Sequence, residues 1–247
     1  MEISRQSGLQ NFLRNRFRRS IRFLFINSKF HFFFNDTIAN VALKLVYLSK
    51  FSRWLHIHPC QEFNGENARY DLYQFLLETE GLQGEIDYLE FGVAAGVSLK
   101  WWVEKNKDPR SRFVGFDTFT GLPENWDNVL KGTFTVNREL PHIQDNRCMF
   151  EVGLFQDTLF GFLQRFTSKR RTVIHIDCDI YNSALFVLTS LAVKLKKGDI
   201  LIFDELGSIR HPTHEFRAFY DFLSAYKFNY KQLGAANFFY QVAVKLI

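Results

Sequence analysis

Thr172-Val173-Ile174-His175-Ile176-Asp177-Cys178-Asp179 and Asp199-Ile200-Leu201-Ile202-Phe203-Asp204-Glu205 decide the fold. Each is a short apolar run, rich in β-branched residues, that ends abruptly in carboxylates. Such runs read as strands buried on both faces, the kind found in parallel sheets covered by helices, and in open α/β sheets ligands bind where these strands end. Two strands ending in acids therefore point to a shared metal or acid/base site. A third strand, Ile86-Asp87-Tyr88-Leu89, runs into Glu90-Phe91-Gly92-Val93-Ala94-Ala95-Gly96, a glycine-bearing turn that lets a cofactor approach the backbone closely.

From Ile86 onward, strand and helix patterns alternate at the spacing of βα units. The pattern predicts strands at 86–91, 112–116, 148–152, 172–176 and 199–203, with helices at 97–105, 156–166, 183–195 and 213–225. The last two β-rich runs, Tyr226–Leu233 and Asn237–Ile247, are joined across Gly234-Ala235-Ala236 and read as a closing antiparallel hairpin. Upstream, helices are predicted over Thr37–Leu55 and Ala68–Thr79, with Pro59–Asn67 as a polar connector. The whole reads as a basic helical extension, residues 1–60, followed by one α/β domain, residues 61–247.

The chain has 47% hydrophobic and 23% charged residues, an ordinary globular balance, with 29 Phe among its aromatics. Its net charge of +5 is unevenly placed: residues 1–60 hold 10 of the 31 Lys and Arg but only Glu2 and Asp36 of the 26 acids. Arg14, Arg16, Arg18, Arg19 and Arg22 interleave with Phe12, Leu13, Phe17, Ile21 and Phe23, as in a basic amphipathic helix. A peripheral role at an anionic membrane surface and a packed helix in a homo-oligomer are both readings of this arm. Between Ile21 and Phe34 the apolar run is broken by Arg22, Asn27, Ser28, Lys29 and His31, so a spanning helix is not expected. Cys60, Cys148 and Cys178 are scattered and odd in number, which suits a reducing cytoplasm.

Chemistry concentrates at the strand ends. Glu90, Gly92 and Gly96 depart from the dinucleotide pattern Gly-x-Gly-x-x-Gly, since position 94 is Ala and position 97 is Val, which argues against a nicotinamide cofactor. Asp117 ends the next strand and is read as a clamp for ribose hydroxyls, with a turn cap as its alternative. Gly153, Gln156 and Asp157 follow the third strand and are candidates for contact with a nucleoside base, Asp157 being also a candidate helix cap. His211 and His214 lie in the loop after the Asp204 strand, which borders the site, and are candidate substrate-contact and catalytic residues. His175, inside its strand, reads as a satisfied core residue, and Glu215 and Arg217 read as exposed helix charges.

The segments EFGVAAGVS, GFDTFTGLP, VGLFQDTL, HIDCDIYNSA and GDILIFDE, in this order, resemble the metal-dependent, S-adenosylmethionine-dependent sugar O-methyltransferases of the macrocin and mycinamicin group, over roughly residues 65–247. The resemblance implies a class I methyltransferase fold, Rossmann-like, with seven strands in the order 3-2-1-4-5-7-6. It implies S-adenosyl-L-methionine near Glu90, Gly92, Gly96, Asp117, Gly153, Gln156 and Asp157. It further implies Mg2+ or another divalent ion on Asp177, Asp204 and Glu205, with Asp179 as general base and a small-molecule or glycan acceptor; no nucleic-acid partner is expected. Glu205 departs from the aspartate usual at its position.

Physical chemistry supports the same roles. A sugar hydroxyl is a weak nucleophile; coordination lowers its pKa, and a nearby carboxylate can take the proton. Aspartates two apart in an extended strand share a face, which would bring Asp177 and Asp179 together and turn Cys178 away. Two rivals stand beside this reading: a metal-dependent glycosyltransferase using Asp177-Cys178-Asp179, and a non-catalytic membrane- or nucleic-acid-binding protein on a degenerate methyltransferase fold.

Overall fold

In a computed structural model of the chain, residues 2–27, 35–126, 128–167 and 169–247 are described. The part of the expected basic extension at 28–34 lies outside them. The chain divides into two compact units, residues 1–46 and 47–247. In the first, helix α1 (Glu2–Arg22) runs on as a π-helical turn over Phe23–Asn27, and helix α2 (Asp36–Ile57) begins. The side chains of Phe12, Leu13 and Phe17 and those of Phe23–Ile26 are exposed.

The second unit is a three-layer α/β structure. Its eight strands are β1 (Gln61–Phe63), β2 (Ile86–Phe91), β3 (Arg112–Asp117), β4 (Cys148–Val152), β5 (Arg171–Ile176), β6 (Ile200–Phe203), β7 (Tyr230–Ala236) and β8 (Gln241–Leu246). They lie in the order β1-β7-β8-β6-β5-β2-β3-β4, with only β8 antiparallel to its neighbours. Setting β1 aside, this is the expected 3-2-1-4-5-7-6 arrangement. The eighth strand corrects the reading of Pro59–Asn67 as a connector: Gln61-Glu62-Phe63 pairs in parallel with Gly234-Ala235-Ala236 at the sheet edge. Those three residues are accordingly strand and not turn; the turn falls at 237–240, where Asn237, Phe238 and Phe239 all have positive φ.

Period-two alternation assigns each strand residue to one of two cores. Tyr88, Phe113, Val173, Ile200 and Ile202 face helices α3 (Ala68–Thr79) and α4 (Val97–Lys105), where Leu72, Tyr73, Leu99 and Trp102 complete a fully buried cluster. Phe91, Phe116 and Phe203 face the other way. They pack on Phe155 and Phe162 of α5 (Phe155–Arg165) and on Phe219 of α7 (Glu215–Tyr226), with ring centroids 4.9–5.5 Å apart. Helix α6 (Tyr181–Leu191) lies between α5 and α7. Each fully buried ring contributes roughly 1.5–3 kcal/mol of transfer free energy, and this explains the phenylalanine-rich composition. The second half of α2 belongs to this unit: Phe51 packs on Phe216, and Trp54 donates its Nε1–H to the Tyr230 hydroxyl at 2.6 Å.

Candidate active site

The parallel register places the carboxyl ends of four adjacent strands in line. Phe91 is paired with both Phe116 and Ile176, and Ile176 with Phe203, so that the next residues emerge together along one edge of the sheet. Backbone bonds continue the ladder one step past the strands: Gly92 N–H donates to Phe116 O, Asp177 N–H to Phe91 O, Asp204 N–H to Ile176 O and Gly153 N–H to Asp117 O, all at 2.9–3.0 Å. Above this edge opens a cleft of about 580 Å³. Gly92, Asp117, Gly153, Gln156, Asp177, Asp179, Asp204 and Glu205, all singled out in the sequence, line it.

Two of its turns are built for close approach. Gly92 has φ +90°, and a Cβ there would stand 1.7 Å from the Asp177 carbonyl oxygen, so the two strand ends can meet only at glycine. Gly96 begins α4 at φ +73°, and a Cβ would lie 2.5 Å from the Pro141 side chain. Gly96 is therefore a packing point and does not line the cleft. Asp117 fixes the glycine turn: Oδ2 accepts from the Val93 and Ala94 N–H groups at 2.7 and 2.8 Å, and Oδ1 from Phe119 N–H at 2.7 Å. The turn-cap alternative thus describes what its carboxylate does in this structure, although the residue also borders the cleft.

Other expected site residues fall outside the cleft lining. Glu90 is buried and accepts from the Tyr88 hydroxyl at 2.7 Å, with His175 Nδ1 3.3 Å away. Asp157 sits in the first turn of α5, where a negative charge favours the helix dipole, and the residue at the N-cap is Leu154. His211 and His214 stand at the rim under Trp126, whose ring lies 4.2 Å from that of His211. His211 Nδ1 is 3.8 Å from Glu205 Oε2, while His214 Nδ1 accepts the Tyr181 N–H at 3.2 Å.

The strand geometry expected for Asp177 and Asp179 is corrected. β5 ends at Ile176, and Asp179 adopts a left-handed φ of +57°, a conformation that costs a non-glycine residue energy and often marks a site. Both carboxylates line the cleft, and Cys178 lines it with them. Glu215 is corrected as well: it is only 1% exposed, its Oε2 accepts the Glu205 N–H at 2.9 Å, and it adds a further buried acid behind the site. Its position in the first turn of α7, just past His214, was a signal that the sequence carried.

Concentrated, poorly solvated negative charge is the dominant electrostatic feature. Burial, then the charges of Glu205, Asp204 and Asp117, pushes the Asp179 carboxyl up to about 7. Burial and the neighbouring charges of Asp204, Asp179 and Glu215 hold Asp177 well above the carboxylate range. Burial also raises Asp204 and Glu205, against the pull of Arg69 and His175 on the first and of the Tyr240 hydroxyl on the second. Tyr240 donates to Glu205 Oε1 at 2.5 Å. Among the described residues, Asp204 Oδ1 and Glu205 Oε2 lack a hydrogen bond of normal geometry; Gln241 is near enough only to temper the effect of burial on Asp204. Buried carboxylate oxygens with only a histidine nitrogen at 3.8–4.0 Å fit a hard, oxygen-seeking divalent cation, although Glu205 lies outside the group of ligand atoms that come closest together among the described residues. Atoms of His175, Asp177 and Asp204 lie within 4.8 Å of one another, but the His175 nitrogens already meet the hydroxyls of Tyr73 and Tyr88, in keeping with a core histidine.

Comparison with known proteins agrees with this geometry. Residues 89–206 match the methyltransferase domain family. The chain is 28% identical to an 8-demethyl-8-(2,3-dimethoxy-alpha-L-rhamnosyl)-tetracenomycin-C 4'-O-methyltransferase of Streptomyces olivaceus, the match covering 62% of this chain and 66% of the relative, just under two thirds of its length. Among solved structures, the calicheamicin methyltransferase CalS11 superposes with a TM-score of 0.56 at 24% identity, covering 71% of this chain and 76% of that one. The O-methyltransferase NovP superposes at 0.51 and 19%, covering 71% and 78%. Residues 89–206, which carry the strand ends that build the cleft, match a methyltransferase domain, and the chain has a class I methyltransferase fold similar to those of the O-methyltransferases compared.

Proposed function

We propose that the protein transfers a methyl group from S-adenosylmethionine to a hydroxyl of a sugar or glycosylated small molecule, with Asp179 as general base and with a divalent ion held by Asp177, Asp204 and Glu205. The observation that carries this reading is the convergence of Asp177, Asp179, Asp204 and Glu205 on one cleft beside the Gly92 turn. The names of the relatives, enzymes that methylate sugars of natural products, favour the same acceptor class.

S-adenosylmethionine supplies an electrophilic methyl on a sulfonium. A bound divalent ion supplies Lewis acidity, lowering the pKa of a coordinated hydroxyl. The residues of the chain do the rest. Gly92, Gly153 and Gln156 line the cleft and would hold the nucleoside of the cofactor, which positions the methyl group for the acceptor. With S-adenosylmethionine bound, Asp179 would take the acceptor hydroxyl proton as the methyl group passed from sulfur to oxygen and the carbon–sulfur electron pair stayed on sulfur. A carboxyl titrating at about 7 suits that task, because about half of it is ionised near neutrality and it is basic enough to accept a proton. Leu122, Phe134 and Phe155 add apolar surface to the cleft lining.

A panel of sugar nucleotides and glycosides incubated with methyl-labelled S-adenosylmethionine tests the proposal. Label should enter the acceptor as a base-stable ether, in a reaction that chelator stops. Label transferred to no hydroxyl compound, or hydrolysis of a nucleotide sugar in its place, would contradict it.

The exposed face of α1 supports a proposal about location. Leu13, Phe17 and Ile21 follow helical spacing along α1 as one apolar ridge, flanked by Arg14 and Arg18 on one side and Arg16 on the other. We infer that this helix lies on an anionic membrane surface, while no helix of the described residues is long and apolar enough to cross one. Co-sedimentation of the whole protein with vesicles containing acidic phospholipid should be lost at high salt and in an Arg14→Glu, Arg18→Glu, Arg22→Glu variant. Salt-independent oligomerisation without vesicle binding would point to helix packing between copies instead.

A further inference from the structure

Arg69 is the only cationic side chain among the described residues lining the cleft, against Asp117, Glu124, Asp177, Asp179, Asp204 and Glu205. It comes from the first turn of α3 and reaches across 135 positions of sequence to Asp204, its Nη2 lying 2.7 Å from Asp204 Oδ2. Strand alternation makes this reach possible: Ile200 and Ile202 point toward α3, and the next residue in that series is Asp204. The pair is asymmetric in solvation. The Asp204 side chain is 6% exposed, whereas that of Arg69 is 34% exposed, so the guanidinium can swing away into the cleft while the carboxylate stays.

We propose that Arg69 is a built-in counter-cation that competes with the divalent metal for Asp204. The inference rests on the metal-binding part of the function proposed above. A buried carboxylate without a positive partner is costly, and the acids around it are too close to one another to ionise together freely. In the metal-free protein Arg69 answers that need at one oxygen of Asp204, leaving Oδ1 without a normal partner. A divalent ion placed among Asp177, Asp204 and Glu205 supplies the positive charge directly, and a guanidinium bonded to one of the same carboxylates then opposes it by repulsion and by holding a ligand oxygen. Arg69 thereby sets a moderate metal affinity and keeps the empty site folded. A residue that supported the metal from outside would act with the opposite sign.

The experiment is calorimetric titration of Mg2+ and Mn2+ into the full-length wild type, Arg69→Lys and Arg69→Gln, together with thermal melts in chelator and in saturating Mg2+. Removing a charge-assisted bond to a buried carboxylate should tighten metal binding by roughly tenfold in Arg69→Gln. Arg69→Lys, a point charge without the planar fork, should fall between wild type and Arg69→Gln. In chelator Arg69→Gln should melt below wild type, and saturating Mg2+ should close most of that gap; a variant that folds only with Mg2+ present would be the extreme form of the same result. Equal or weaker metal binding by Arg69→Gln, or failure to fold with or without metal, overturns the proposal. Absence of metal binding in wild type and variants alike would instead overturn the metal reading on which it rests.

Discussion

Gly92 and Asp177 touch backbone to side-chain position: a Cβ on residue 92 would stand 1.7 Å from the Asp177 carbonyl oxygen. The glycine turn and the acidic loop are thus packed against each other backbone to backbone. Gly92→Ala should displace both strand ends and add the cost of a side chain at φ +90°. A lower melting temperature together with loss of S-adenosylhomocysteine binding is expected, measured by thermal denaturation and titration. A variant with native values of both would show that the strand ends are not coupled in this way.

Asp179→Asn should separate chemistry from stability. As general base its loss should lower turnover by roughly 10²–10⁴-fold. Because burial and neighbouring acids disfavour its charge, neutralising it should leave the melting temperature in chelator unchanged or raised. Near-native turnover would move the base elsewhere, with His211 at the rim the next candidate.

The acidic cluster also sets a pH dependence of opposite sign to that of paired surface acids. Asp179 titrates at about 7 in the folded chain against 3.8 for an ordinary aspartate, so between these values the folded state binds more protons than the unfolded one. Stability in chelator should therefore fall as pH rises through this window. Denaturant melts in chelator at pH 5, 6, 7 and 8 measure this, and saturating Mg2+ should flatten the trend. Rising stability from pH 5 to pH 7 in chelator would contradict the assigned burial of charge.

Tyr240→Phe isolates the role of Glu205. With the hydroxyl gone, Glu205 loses its partner at Oε1, and a part-buried acceptor left unsatisfied costs roughly 1–3 kcal/mol. We expect a destabilised apo protein whose deficit shrinks in Mg2+. Equal destabilisation with and without metal would mean that Glu205 is not a ligand.

Much of this was legible in the sequence, and the reasons are physical. Strands β5 and β6 are almost wholly buried, so their runs are mainly apolar and the acids that follow mark their ends, whereas β2, buried throughout, is recognised by the glycine turn after it despite carrying Asp87 and Glu90. β1 escaped notice because a three-residue edge strand, Gln61-Glu62-Phe63, carries no alternation long enough to see. The turn at 237–240 was displaced because Phe238 and Phe239 adopt positive φ, which their residue type does not announce, while Gly234 and Ala235 looked like a turn and are strand. Arg69 was missed because its role depends on Asp204, far along the chain, and Glu215 because an acid at a helix start reads as a dipole partner until its burial is known.

Calorimetric titration of S-adenosylhomocysteine into the purified protein with and without Mg2+, alongside Asp177→Asn and Asp204→Asn, decides whether the glycine turn and the acidic cluster form one cofactor and metal cleft. S-adenosylhomocysteine should bind the wild type and both variants with similar affinity, while Mg2+ should give a binding signal in the wild type that each substitution weakens. A protein that ignores S-adenosylhomocysteine under all these conditions, or that binds it while showing no response to Mg2+ or Mn2+, would contradict a shared cleft.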